Sequence, residues 1–329
     1  MSRWNGKLLG CLVLMLCLPP AWARAEENEI VPAGAWLLRT GYGEDHLDAS
    51  IGRDNADGPL TRFLIPEVGT RALIDGTVER KEQWWELLLG FGLSDTLNVH
   101  LQTAYHSVEQ TSTLSTASTD ATAKSEVARL ESREVSGMGA TILTGLYRPV
   151  YTDRSAIRLG LGVSVPGEGL VGPYAGRSTL SVGNPHTEYF AIFHNTTYFF
   201  LTRARIDIRL KFGMSEEREL ELASGGEGHV NPGSFGELFL GYEHNLGGFF
   251  YGLGAEVDQR GKAKINGVLQ GDSVQNMFYR VHLGAGNLDD LEEGPLAFPY
   301  QFLLQWDQTV QGFNTPLHNT LRVLFKTYF

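Results

Sequence analysis

Polar and apolar residues alternate along most of this chain. In "TRARIDIRLKFG" (Thr202–Gly213), Arg203, Arg205, Asp207, Arg209 and Lys211 take every second position, and Ala204, Ile206, Ile208, Leu210 and Phe212 lie between them. A period of two marks a β-strand with one polar and one apolar face. "TLNVHLQTAY" (Thr96–Tyr105) sets Leu97, Val99, Leu101, Thr103 and Tyr105 against Asn98, His100, Gln102 and Ala104. "AIRLGLGVSV" (Ala156–Val165) and "LRVLFKTYF" (Leu321–Phe329) behave in the same way. Extended along the chain, the pattern predicts about twelve strands, over 34–45, 80–93, 96–108, 137–148, 155–166, 186–199, 202–214, 234–244, 248–259, 273–285, 297–310 and 317–329. The expected fold class is all-β, in one domain with no internal repeat.

The connections alternate in length. Ser94-Asp95, Pro149–Asp153, the break near Phe200–Leu201 and Asn245–Gly248 are short; 46–79, 109–136, 167–185, 215–233 and 260–272 are long and polar. Short turns at one rim and long loops at the other predict a single antiparallel transmembrane β-barrel. The stretch 286–296 is longer, and Gln311–Pro316 shorter, than that rule asks. The Ser/Thr/Ala-rich Thr111–Glu134 reads as a flexible external loop with a short helical piece around Ala121–Leu130.

Aromatic residues cluster near strand ends. Phe91, Tyr147, Tyr151, Tyr198, Phe199, Phe249, Phe250, Tyr251, Phe298, Tyr300, Tyr328 and Phe329 fall beside the short turns, and Trp84, Trp85, Tyr105, Tyr189 and Trp306 near the opposite ends. Two aromatic girdles around an apolar band are expected of a barrel in a bilayer. A soluble β-sandwich would have shorter strands and no alternation of loop lengths.

The beginning of the chain fits that compartment. Arg3 and Lys7 precede an apolar run, Leu8–Leu18, which Pro19 and Pro20 end, and "ARA" (Ala23–Ala25) supplies small residues for cleavage. Residues 1–25 are thus expected to be a secretory signal peptide, cut before Glu26. The run is too short for a spanning helix, which needs ~20 apolar residues. "LLGC" (Leu8–Cys11) has the form of a lipobox but stands ahead of the apolar core. Cys11 and Cys17 both lie in the leader, so the mature chain can form neither a disulfide nor a thiolate metal site. The leader also holds three of the 27 basic residues, leaving 24 against 38 acidic ones, a net charge of −14. That balance argues against a nucleic-acid partner.

Lipid cannot satisfy polar groups, so in a barrel the polar face turns inward. The residues then expected to line the lumen are Arg158, Arg203, Arg205, Asp207, Arg209, Lys211, Glu237, Glu243, Glu256, Asp258, Arg280, His282, Asp307, Arg322 and Lys326, with His100. Two readings compete for the basic row from Arg203 to Lys211. It could guide an anionic solute, as charged rows tune pores. It could instead be neutralised by Glu237, Glu243, Glu256 and Asp258 on the next two strands, knitting the wall together.

Catalytic patterns are weak. His106 and Ser107, and likewise His194 and Asn195, are adjacent on strands and should face opposite sides. No nucleophile elbow, HExxH or phosphate loop is present. The histidines lack ligand-like spacing, and Asp289, Asp290, Glu292 and Glu293 read as a solvated turn. No catalytic, cofactor or metal residue is assigned, and the expectation is a non-enzyme.

"SGMGATILTGLYRPVYTDRSAIRLGLGVSVPGEG" (Ser136–Gly169) resembles a proteobacterial outer-membrane family, the meta-pathway phenol-degradation proteins, described as transporters of aromatic compounds. That family opens on Gly-x-Gly-Asp and closes on Pro-Thr-Gly; here stand Gly137-Met138-Gly139-Ala140 and Pro166-Gly167-Glu168-Gly169. "IDGTVERKEQWWELLLGFGLSDTLNVHLQTAY" (Ile74–Tyr105) resembles a second outer-membrane family that opens on IDGE, with Thr77 here in place of the Glu. Both resemblances imply an outer-membrane barrel, and the first implies a hydrophobic or aromatic solute.

The expected function is therefore a passive outer-membrane channel for small solutes. The partners expected are outer-membrane lipid and lipopolysaccharide, the solute itself, and the barrel-assembly machinery, which would recognise the last strand through Phe329. A structural or assembly-partner barrel is the alternative, and an outer-membrane lipid hydrolase stands third.

Overall fold

The computed structural model describes residues 30–52, 56–65, 68–167, 169–170, 181–182, 185–222, 226–270, 273–286 and 299–329. The signal-peptide reading, Phe298 and the acidic cluster Asp289–Glu293 lie outside the described residues.

Twelve strands close into a barrel. In chain order they are β1 (Trp36–Leu47), β2 (Val78–Ser94), β3 (Leu97–Ser112), β4 (Arg133–Met138 continuing as Thr141–Tyr151), β5 (Ser155–Val165), β6 (Glu188–Phe199), β7 (Ala204–Ser215), β8 (Ser234–Asn245), β9 (Phe249–Arg260), β10 (Val274–Gly286), β11 (Tyr300–Phe313) and β12 (Asn319–Tyr328). Each pairs antiparallel with its neighbours in sequence, and β1 pairs with β12, from Leu37 opposite Tyr328 to His46 opposite Asn319. The barrel sheet has no open edge, so its strands satisfy one another's backbone groups without water, apart from local register shifts such as that at Met277/Phe278. No helix among the described residues is long and apolar enough to cross a membrane.

Exposure follows the alternation in the sense that lipid requires. On β7, Arg205, Asp207 and Arg209 are buried, whereas Ile208, Leu210, Phe212 and Met214 are exposed. Leu238 and Leu240 on β8, and Leu321 and Val323 on β12, continue the apolar outer band. This is the inverse of a soluble barrel, and such a surface is stable only against hydrocarbon. Trp85, Tyr105, Tyr189 and Trp306 point outward near the long-loop rim; Tyr147, Tyr151, Phe199 and Phe249 do so near the short turns. Trp84 departs from the expected girdle. It shares the inner face of β2 with Glu86 and lines a lumenal cavity. Tyr198, Phe250 and Tyr328 likewise fall at inward positions, because strand phase, rather than nearness to a rim, decides the side a residue faces.

The loops are more ordered than their composition suggests. Leu60, Leu64, Ile65 and Leu130 form an apolar cluster with Val78 at the start of β2. It joins the loop before β2 to a helix over Ala121–Arg129. Asp120 caps that helix by accepting from the Ala123 N–H at 2.8 Å. Short strands Arg218–Glu221, Glu227–Asn231, Ala263–Ile265 and Val268–Gln270 add a small sheet built from two other long loops.

Candidate functional site

Charged side chains of many strands converge on the inner wall. Fifteen of the sixteen residues expected in the lumen lie at inward positions, Arg203 being the exception. It is exposed and sits at φ 42° in the turn after the 3₁₀ segment Phe200–Thr202. The strand starts at Ala204, one residue later than the alternation implies, because a turn reverses the chain at the cost of the residues that form it.

The rest of the basic row is countered by acids on neighbouring strands. Arg205 Nε lies 2.8 Å from Asp207 Oδ2, and its Nη2 donates to Glu243 Oε2 at 3.1 Å. Glu243 also meets His282 Nε2 at 2.8 Å. Asp207 accepts from Thr196 Oγ1 at 2.6 Å and faces His194 Nε2 at 3.0 Å. Behind this group, Arg158 donates to Thr196 Oγ1 at 2.9 Å and approaches His194 Nδ1 at 3.2 Å. Arg209 pairs with Glu256 at 3.1 Å and Lys211 with Glu237 at 2.7 Å. Arg280 reaches Asp307 through two nitrogens, at 2.9 and 3.2 Å, and Glu256 at 3.3 Å. Two charges in a low-dielectric wall need such mutual satisfaction, since an unpaired one would cost several kcal/mol, ~3–5.

One aromatic ring organises part of this network. Phe239, on the inner face of β8, is 1% exposed, and the guanidinium carbons of Arg209 and Arg280 stand 5.2 and 5.0 Å from its centroid. The ring fits because Gly241 and Gly254 beside it have no side chain; a Cβ on either would come within 2.7 Å of the ring. Cation–π attraction then holds both arginines against the wall.

Other inner residues escaped the sequence reading. Arg39 pairs with Glu86 at 3.3 Å, Arg260 with Glu188 at 2.7 Å, and Asp45 with His318 at 2.6 Å. Arg39 could have been found from "RTGYGED", where Arg39, Gly41, Gly43 and Asp45 share one phase. His106 faces inward and meets Glu82 at 2.6 Å, while Ser107 on the opposite face bonds Glu134 at 3.2 Å. The two do not converge, as strand geometry requires. Carboxylates of Glu237, Glu256 and Asp258 lie within 4.8 Å of one another. Lys211 and Arg209 already balance two of the three.

Two cavities run along the lumen. A wide one of about 460 Å³ lies toward the long loops, between Asp45, Trp84, His106, Phe278 and His318. A narrow one of about 40 Å³ lies between Arg39, Arg209, Gln301, Leu303 and Lys326. They share Glu86, Arg280 and Arg322 as a common wall. At the short-turn rim the chain ahead of β1 enters the mouth. Val31 is fully buried, and Asn98 clamps it, accepting from its N–H at 2.7 Å and donating to its carbonyl at 2.8 Å.

Comparison with solved structures bears on the fold. The chain is similar to the COG4313 outer membrane channel from Pseudomonas putida F1. The likeness covers 93% of this chain and all of that one, with a TM-score of 0.67 at 15% identity. At that identity it shows a shared fold, an outer-membrane β-barrel. Looser likenesses are the translocator domain of the autotransporter NalP from Neisseria meningitidis (TM-score 0.46, 8% identity, 99% of this chain and 95% of that one) and a deletion mutant of the TodX monoaromatic hydrocarbon channel (TM-score 0.42, 8% identity, 94% and 96%). Neither is close enough to carry an argument. No family model and no curated protein matches the chain.

Proposed function

We propose that the chain is an outer-membrane channel through which small solutes cross passively. The observation that supports this is the pair of cavities that share one wall, a wide polar vestibule leading to a narrow charged chamber. Barrels of about this strand number hold a lumen between filled and open. In this reading the long-loop rim is external and the short-turn rim periplasmic. Arg205, Arg209 and Lys211 serve the wall first, through their acid partners, and shape the field in the lumen second. The signal peptide, lipopolysaccharide around the outer band, and recognition of the strand ending near Phe329 by the assembly machinery belong to the same proposal.

Ion conductance in planar bilayers, with swelling of liposomes in small sugars and organic acids, tests it. Discrete conductance steps are expected from the folded barrel. A folded barrel with neither conductance nor swelling removes the channel reading in favour of a structural or assembly role. The wholly paired state of Arg205 and Asp207 is the observation that favours that second reading.

A further inference from the structure

Arg322 stands apart from the network around it. It lies on the inner face of β12, yet among the described residues it makes no ion pair and no hydrogen bond. Its Nε is buried without a partner. It stands over the face of Trp84, with the guanidinium carbon 5.4 Å from the ring. Strand register explains how the two meet. Gly43 on β1 lies opposite Trp84 on one side and Arg322 on the other. A Cβ at Gly43 would come within 2.2 Å of the indole, so the glycine lets Trp84 lie across β1 toward Arg322. The side chain is thereby held at the wall common to both cavities.

A guanidinium nitrogen buried without an acceptor is costly, and an anion held at Arg322 offsets that cost. Its surroundings favour one. The narrow chamber is lined by five cations, Arg39, Arg209, Arg280, Arg322 and Lys326. Arg39, Arg209 and Arg280 are already paired with Glu86, Glu256 and Asp307, whereas the guanidinium of Arg322 can still take an acceptor. Leu303 and Leu324 add an apolar surface, and the chamber of about 40 Å³ holds only a few non-hydrogen atoms. A guanidinium fork matches a carboxylate through two parallel hydrogen bonds.

We propose that this chamber is a binding site for a small monocarboxylate, with Arg322 as its principal contact and Trp84 as the residue that positions it. The site deepens the channel reading and rests on the lumen being open to solutes.

The test is equilibrium binding of acetate to the folded barrel in detergent micelles, by calorimetry and by quenching of indole fluorescence, with folding checked by heat-modifiable gel mobility. Wild-type protein should bind acetate at least ten-fold more tightly than acetamide, its neutral isostere. Arg322→Gln should weaken acetate at least ten-fold, Arg322→Lys less, and Arg203→Gln, in the exposed turn, not at all. Equal binding of acetate and acetamide by wild type overturns the proposal without any variant. So does acetate affinity unchanged in folded Arg322→Gln. A conducting barrel that does not bind acetate refutes the site and leaves the channel standing. Binding to a barrel that does not conduct supports the site and refutes the channel.

Discussion

Arg205→Met isolates the contribution of a buried cation to the wall. Arg205 is 5% exposed and bridges two carboxylates, Asp207 at 2.8 Å and Glu243 at 3.1 Å, themselves 3% and 2% exposed. Its removal strands two negative charges in a poorly solvated wall. Asp207 keeps Thr196 and His194, and Glu243 keeps His282, so neither is left wholly without a donor. Breaking one side of a buried pair costs about 3–5 kcal/mol, and the retained donors place this case near the lower end, about 3. Lys211→Met is the matched control. Its pair with Glu237 is as short, 2.7 Å, but the side chains are 26% and 23% exposed, so water can take over. That change should cost about 1 kcal/mol or less. The double variant Arg205→Met/Glu243→Leu should recover part of the loss, because one of the two stranded charges is gone. Guanidinium unfolding of barrels reconstituted in vesicles, followed by tryptophan emission, gives the stabilities of the wild type, of these variants and of Glu243→Leu alone, which closes the cycle. Three kcal/mol is about a hundred-fold in the folding equilibrium, well resolved by a midpoint shift. Equal losses for Arg205→Met and Lys211→Met, or strict additivity in the double variant, would refute the reasoning that burial makes these pairs matter.

Three further outcomes follow from other parts of the fold. Leu240→Arg puts a charge on the outer band, where Leu240 is 47% exposed, and should cost about 2–4 kcal/mol of stability in vesicles while the same substitution at external Thr116 costs far less. Asp120→Ala deletes the cap of the Ala121–Arg129 helix and should lower local stability by about 1 kcal/mol, read as faster amide exchange there with the barrel strands unchanged. His186, outside the spanning strands, is held below the ordinary imidazole value by burial. The unfolded segment therefore binds the proton more readily, its stabilising contribution is complete above the unfolded value of about 6.5 and is lost as pH falls through the lower folded value, and amide protection near Glu216, taken relative to the intrinsic exchange rate at each pH, should fall between pH 7 and 5. His186→Asn should flatten that pH dependence.

Much of the architecture was legible because lipid and water impose one rule on every strand. A period of two, with the apolar half outward, needs no knowledge of distant residues, and it accounts for twelve strands and the inward phase of fifteen of the sixteen side chains expected there. Asp207 and Glu243 could be put on the inner face from that rule alone. Alternation runs on through Arg203 into the turn, and only chain reversal ends the strand there. Trp84 stands in the girdle by its rank along β2, but its phase turns it into the lumen.

Register, which the local pattern leaves free by steps of two residues, decided the chemistry. Arg39 meets Glu86 rather than another acid, and Phe239 lies over Gly254 as well as over Gly241 of its own strand, only through the register of adjacent strands. The apolar cluster that ties Leu64 to Leu130 arose in loops whose composition speaks of solvent, because burial there depends on what another loop brings. The sequence by itself determined the two faces of each strand and hence most of the charged residues that face the lumen. The closed barrel alone decided which cations found acids there and that Arg322, laid against Trp84 across Gly43, did not. Side-chain direction is a property of one strand, whereas charge pairing is a property of neighbouring strands in register.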